Sequence, residues 1–358
     1  MKKMRVAIIG QGRSGRDIHG KFFRSCDNDF CEVVCVVEAD EFRREKAKRE
    51  YGCETVADYT ELFGRDDIDL VVNASYSQMH YSIAKDLLNH GFNVLCEKPL
   101  ARTYYECMDL ILTAKQNNRT VAAFHQTLYA PSFLFVKEVI ESGKLGNIFQ
   151  MSFKYSGFAR RWDWQTLQSR CAGSVYNSGP HPIGQALALL GWDKDTKVEF
   201  SSLGTILTSG DSDDYGKVIL SAPEKPVVDI EINSADAYAN DFVFKICGSH
   251  GTLLATNEKY EMKYVKDFES YPERPIIKTS LSDSEGNPYY CAEKLEFTEE
   301  KGDFEGSAFD IAVKNFYKML YNNVMEGKPL EVTPEQAAQV IAVIESCHTN
   351  NPLPVKFD

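Results

Sequence analysis

Short apolar runs recur at regular intervals through the first third of the chain. Residues 4–9 (MRVAII) run into Gly10 without alternating, as a strand buried on both faces of a parallel sheet does. Similar runs follow at 33–37, 70–74, 93–96 and 120–124, and between them lie segments of helical character at 14–25, 43–51, 81–89 and 104–117. Parallel strands need crossover connections, so this alternation predicts a doubly wound, Rossmann-type α/β domain over residues 1–124.

Beyond residue 124 the pattern changes. A helix is expected over 131–142, closed by Gly143, and then β-rich stretches at 148–155, 218–221, 227–233, 242–247 and 252–255 succeed one another without intervening helices. Residues 125–358 therefore read as an α+β domain with a large, mainly antiparallel sheet. Two closing helices, 309–326 and 334–349, are candidates to pack back on the first domain, the second opening at Thr333-Pro334 and stopping before Pro352.

Charge narrows the partners. The formal net charge of −12 and the lack of a long basic run argue against nucleic acid and anionic membranes. No apolar run has the length of a membrane span, and the start passes from lysines straight into a strand, so a cytoplasmic protein is expected. Ten scattered cysteines without a CxxC or zinc-type spacing read as reduced, mostly buried small hydrophobes, with no metal site expected.

Gly10-Gln11-Gly12-Arg13-Ser14-Gly15 follows the first strand and opens the first helix, the setting in which GxGxxG binds a dinucleotide. Gly10 makes the tight turn, Gly12 lets backbone approach the pyrophosphate and Gly15 allows close helix packing. Glu38 ends the second strand, where a carboxylate accepts hydrogen bonds from the adenosine ribose and repels a 2′-phosphate, so NAD is favoured over NADP. Asp40 is a second carboxylate there, and Arg43 and Arg44 are the counter-signal. Glu97-Lys98-Pro99 lies at the carboxyl edge of the fourth strand, where an ammonium can stabilise an alkoxide on a reacting hydroxyl.

Together GxGxxG, the acidic second-strand end, NVLCEKPLA and a histidine after a glycine-containing stretch resemble the glucose-fructose oxidoreductase, inositol dehydrogenase and rhizopine-catabolism family over nearly the whole chain. The resemblance implies that Lys98 is catalytic and that its bond to Pro99 is cis. It implies cofactor contacts from Gln11, Arg13, Ser14, Ala74, Ser75, Glu97 and Lys98, and it matches His80 to the family's loop histidine. The segment from Ala172 to Gly184 resembles the signature with a catalytic histidine, here His181, but Asn177 stands at the usual aspartate. An amide orients a hydroxyl or an imidazole without stabilising imidazolium by charge. Three accounts stay open: His181 works with Lys98 alone, the substrate position is already acidic, or redox turnover is weak. The first is preferred because both residues are retained.

Tyr155 to Gln165 mixes aromatic and polar residues as a sugar site does, with Arg160, Trp162 and, from the crossing segment, Tyr129 and His125 as candidate substrate contacts beside Lys98, Asn177 and His181. Paired Arg160 and Arg161 leave a sugar acid open. The reading is an NAD-dependent oxidoreductase passing a hydride between nicotinamide and a secondary hydroxyl of a carbohydrate or cyclitol, assembled as a homodimer or homotetramer. Two alternatives are a glycoside-cleaving or epimerising enzyme that uses tightly bound NAD transiently, and a non-catalytic NAD-sensing regulator.

Overall fold

The computed structural model describes residues 2–238 and 241–357; Met1 and Asp358, where the two expected domains begin and end, lie outside the described residues. Six strands, β1 (Met4–Ile9), β2 (Cys31–Val37), β3 (Glu54–Val56), β4 (Leu70–Asn73), β5 (Val94–Cys96) and β6 (Val121–Ala123), form a parallel sheet in the order β3-β2-β1-β4-β5-β6. Val6, Ala7, Ile8, Leu70, Val71 and Val72 are all fully buried, which explains why these strands read as continuous rather than alternating apolar runs. The order reverses between β1 and β4, so a crevice opens at their carboxyl ends, where such sheets bind ligands.

The first helical segment departs from expectation. Instead of one helix over 14–25, a π-helical turn, Arg13–His19, runs into a short α1 (Gly20–Phe23). Two glycines permit it: a β-carbon on Gly15 would stand 1.9 Å from the Gly10 oxygen, and one on Gly20 1.9 Å from the Tyr51 hydroxyl. His19 ends the π turn fully buried. Helices α2 (Glu41–Tyr51), α3 (His80–Asn89) and α4 (Tyr104–Gln116) complete the crossovers, with the Asp40 side chain capping α2 and a Thr103–Glu106 capping box opening α4.

The remaining chain supplies α5 (Pro131–Glu141), β7 (Ile148–Ser156), α6 (Ser174–Asn177), α7 (Pro180–Leu189), β8 (Lys197–Gly204), β9 (Tyr215–Ser221), β10 (Val227–Asn233), β11 (Phe244–Gly248), β12 (Gly251–Ala255) and β13 (Lys259–Tyr264). A small hairpin of β14 (Leu281–Ser282) and β15 (Pro288–Tyr289) precedes β16 (Thr298–Asp303), α8 (Ala308–Glu326) and α9 (Pro334–Asn350). Eight strands form the large sheet in the order β16-β13-β12-β11-β7-β10-β9-β8, antiparallel throughout except for the β7–β10 pair.

Both closing helices reach across the molecule. Phe316, Tyr317 and Leu320 of α8 share a core with Met4, Val6, Ile8 and Phe22 on one side of the parallel sheet. Val340, Ile341 and Ile344 of α9 join Leu110 of α4 and Ile183 of α7 in the larger core. No helix among the described residues is long and apolar enough to cross a membrane.

Candidate active site and nucleotide cleft

The glycine turn has three distinct steric environments. Gly10 adopts φ +89°, and a β-carbon there would stand 2.5 Å from the Ala74 oxygen. Gly15 packs on Gly10 as described above. Gly12, in contrast, has ordinary φ, −74°, and a β-carbon on it would meet nothing within 4 Å among the described residues. The empty space above Gly12 is a cradle into which a pyrophosphate fits, as the fingerprint requires. Arg13 is exposed beside it, Ser14 is half-buried, and Gln11 is buried with its Oε1 unpaired among the described residues.

Glu38 closes one end of this cleft. Its Oε2 accepts the Gln11 N–H at 2.8 Å and its Oε1 that of Asp40 at 3.0 Å, leaving lone pairs on both oxygens for ribose hydroxyls. Arg44 is committed to the main-chain oxygens of Glu38 and Ala39 at 2.7 Å each, while Arg43 lies 3.9 Å from Glu38. Asp40 caps α2 and accepts from Arg43 N–H, so its carboxylate is a structural group.

At the end of β5 the Lys98–Pro99 bond is cis, as the resemblance implies. Glu97 is 3% exposed; one oxygen lies 3.1 Å from His19 Nε2 and the other accepts the Lys98 N–H at 3.0 Å. Burial alone would raise the Glu97 carboxyl, but the His19 hydrogen bond and the charge of Lys98 outweigh it and hold it down at about 2. His80 is likewise buried, with Nδ1 2.7 Å from the Pro99 oxygen and Nε2 3.2 Å from the Ser75 oxygen. Burial lowers its proton affinity, opposed by the two carbonyl oxygens, of which Pro99 makes the shorter contact. Glu97 and His80, both expected at the cofactor, thus brace the loops after β4 and β5 through these internal hydrogen bonds. Ser75, half-buried, donates to Asn73 Oδ1 at 2.7 Å, and Ala74 backs Gly10.

Lys98 reaches over to α6, its Nζ 2.9 Å from the Asn177 main-chain oxygen. His181, on the first turn of α7, has Nδ1 3.3 Å from Thr127 Oγ1 and its ring stacked 6.4 Å from that of Tyr155. Burial, with the nearby charge of Lys98, holds His181 down at about 3 and the neighbouring His125 down at about 4. Both rings are neutral at neutral pH. The Asn177 amide is directed at the Gln165 oxygen at 3.4 Å, so Asn177 serves the site chiefly by its main-chain oxygen rather than by orienting His181 with its side chain.

The remaining expected substrate contacts, Tyr129, Arg160 and Trp162, have partners or exposure of their own. The Tyr129 hydroxyl donates to Glu331 at 2.8 Å and its ring packs on Phe316. Arg160 donates to the Leu207 oxygen at 3.2 Å, Arg161 pairs with Asp163 at 2.8 Å, and Trp162 is 77% exposed. Arg160 and the main-chain oxygen of Arg161 hold this loop against residues 207–209.

What sequence reading overlooked is the run Asp211–Asp214, all buried. Asp213 accepts the Val175 N–H at 2.7 Å and meets His348 at 3.1 Å; Asp214 accepts three consecutive main-chain N–H groups, Ile206 to Thr208, at 2.6 Å each. These carboxylates shape the backbone around α6, and their sequence, an acidic run among serine, threonine and glycine, gave no signal of burial. Beside α6 a cavity of about 340 Å³ is lined by Tyr155, Ser156, Ser174, Ser178, Asn233 and Ser234.

Comparison with known proteins places these features. The model of the Gfo/Idh/MocA oxidoreductase family, NAD-binding Rossmann fold, matches residues 4–125, and the model of the family's C-terminal domain matches 133–254. An uncharacterized oxidoreductase of Schizosaccharomyces pombe is 29% identical over 262 residues, 71% of this chain and 70% of that protein. The scyllo-inositol 2-dehydrogenase (NADP(+)) IolW of Bacillus subtilis is 24% identical over 354 residues, 96% of this chain and 92% of that protein. Among solved structures, KijD10, a 3-ketoreductase from Actinomadura kijaniata in complex with NADP and TDP-benzene, shares the fold with a TM-score of 0.79 at 17% identity, covering 98% of each chain.

Proposed function

The chain belongs to the Gfo/Idh/MocA oxidoreductase family, and on that premise we propose that it oxidises a secondary hydroxyl of an uncharged sugar derivative or cyclitol at the expense of NAD. The observation that carries this reading is the meeting of Lys98, from the nucleotide cleft, with α6 and the neutral His181 of α7. When bound, the nicotinamide supplies the hydride acceptor. Lys98 holds a positive charge where the substrate oxygen gains negative character. His181, neutral, has a ring nitrogen to take the hydroxyl proton. Asn177 fixes the lysine by its carbonyl.

A neutral polyol is favoured over a sugar acid because the cavity beside α6 is lined mainly by hydroxyl and amide groups, and its one lysine, Lys154, is already paired with Asp236 and Asp241 at 2.8 Å each. Arg160 and Arg161, the candidate carboxylate clamp, are engaged elsewhere. NAD is favoured because Glu38 keeps free lone pairs at the ribose position. IolW is named for NADP(+) and the KijD10 structure is a complex with NADP, so this choice belongs to the chain's own residue and is tested directly. Self-association through the large sheet, expected from the sequence, belongs to the same proposal and is read from the mass in solution.

The test is a matrix of NAD or NADP against inositols, neutral sugars, glycosides and sugar acids, following nicotinamide absorbance. Reduced NAD accumulating with a neutral polyol supports the reading. Turnover confined to sugar acids, or substrate cleaved with no net reduction, overturns it, and the latter outcome selects the transient-oxidation alternative.

A further inference from the structure

Beneath Lys98 runs a buried chain of three polar side chains drawn from distant parts of the sequence. The Tyr317 hydroxyl of α8 lies 2.7 Å from His19 Nδ1, and His19 Nε2 lies 3.1 Å from Glu97 Oε1. The other Glu97 oxygen accepts the main-chain N–H of Lys98. Tyr317 and His19 are fully buried and Glu97 is 3% exposed.

We propose that His19 and Tyr317 are positioning residues for the reaction, fixing the Glu97 carboxylate and through it the Lys98 turn; the inference rests on Lys98 being catalytic, as proposed above. The hydrogen-bond roles follow from the partners. A carboxylate only accepts, so His19 carries a proton on Nε2, and the tyrosine hydroxyl, which can donate or accept, meets the other ring nitrogen. Tyr317 therefore holds the ring in the orientation that points Nε2 at Glu97. The rings are held as well: His19 lies 4.4 Å from Phe124, and Tyr317 stacks on Phe22 at 4.8 Å with an interplanar angle of 6°. Hydrocarbon side chains of similar volume would fill this space without burying a carboxylate, so stability alone gives no reason for the chain. Its outcome is a fixed main-chain N–H at Lys98, one residue from the cis bond, with Nζ then delivered to the Asn177 oxygen. It also ties α8 to the floor of the active site.

Tyr317→Phe keeps the ring packing and removes only the hydroxyl, so it is the variant that separates positioning from folding. With His19→Ala beside it, kcat is expected to fall at least about tenfold, since misplacement of a catalytic group by about 1 Å can cost on the order of 10²-fold. KM for the cofactor should change little. His19→Gln, whose amide can still donate to Glu97, should recover part of the loss. A readout that needs no substrate is the rate at which an amine reagent acetylates Lys98, mapped by peptide mass spectrometry; it should rise several-fold in Tyr317→Phe relative to the other lysines. Unchanged kcat and unchanged Lys98 acetylation in both His19→Ala and Tyr317→Phe, with only a lowered melting temperature, would overturn the proposal. A wild-type chain that turns over no substrate would count against the oxidoreductase reading instead, and the acetylation result would still decide the positioning role.

Discussion

The amine of Lys98 lies 2.9 Å from the main-chain oxygen of Asn177, so the lysine that closes β5 is held by the first turn of the segment leading to His181. A carbonyl anchors the ammonium without neutralising it. The charge therefore stays available to an oxygen of substrate, and it also helps keep His181 and His125 unprotonated.

Replacing that amine removes charge stabilisation of the reacting oxygen. Lys98→Met should lower kcat by about 10²–10³-fold, the scale of losing one preorganised donor to a developing oxyanion. The affinity for reduced cofactor, titrated by tryptophan fluorescence, should stay within a few-fold. A comparable loss of cofactor affinity and no separate loss in kcat would assign Lys98 to binding alone.

The glycine turn yields a paired prediction. Gly12→Ala has space and ordinary φ, so the melting temperature of the free protein should be nearly unchanged while cofactor affinity falls at least tenfold or so, because the added methyl occupies the pyrophosphate position. Gly15→Ala forces a β-carbon to 1.9 Å from the Gly10 oxygen and should destabilise the free protein by about 1–3 kcal/mol. Thermal melts with and without cofactor check both; equal destabilisation by the two changes would contradict the assignment of Gly12 to the ligand.

Cofactor preference should follow Glu38. Removing its carboxylate in Glu38→Ser leaves Arg43 and Arg44 beside the ribose position, so the ratio of kcat/KM for NADP over NAD should rise at least about tenfold, as expected where an acidic residue excludes a 2′-phosphate. An unchanged ratio would move the discrimination to another residue.

Two histidines, the buried His125 and the half-buried His181, give the fold an acid-side weakness. His125 and His181 are held at about 4 and about 3 against an ordinary 6.5, so between these limits the unfolded chain binds protons that the native chain does not. Their contribution to stability is complete above about pH 6.5 and declines as pH falls through that window. His348, raised despite its burial by the hydrogen bond and charge of Asp213, acts in the opposite sense and adds stability on the acid side. Denaturant unfolding across this range should show His125→Gln flattening the decline; the same slope as wild type would mean that His125 is not buried neutral.

Much of the fold could be read in advance, for a physical reason. Strands buried on both faces, such as 70–74, need no periodicity to be recognised, and their alternation with helices implied a parallel, doubly wound sheet. The strands left out were those that lack this signature. Glu54–Val56 has three residues, and Lys197–Gly204 and Thr298–Asp303 carry polar residues on half-buried or exposed edge positions. At the site, local motifs identified Gly10–Gly15, Glu38, Lys98 and His181. Side-chain direction was not legible: Tyr129 turns to Glu331, Arg160 to Leu207, and Glu97 inward to His19, choices set by tertiary packing. Asp211–Asp214 escaped notice because acidic residues that serve main-chain N–H groups look, in a sequence, like a solvated loop.

The central claim is that the chain moves hydride directly from a carbinol carbon of a neutral polyol to its nicotinamide cofactor under the control of Lys98. The measurement is transfer of deuterium from a substrate labelled at that carbon, with the cofactor analysed by mass spectrometry after turnover by wild type and by Lys98→Met. The account predicts one deuterium in the reduced NAD formed by wild type and almost none with the variant in the same time. Unlabelled reduced cofactor, or labelled cofactor formed equally by Lys98→Met, would contradict it.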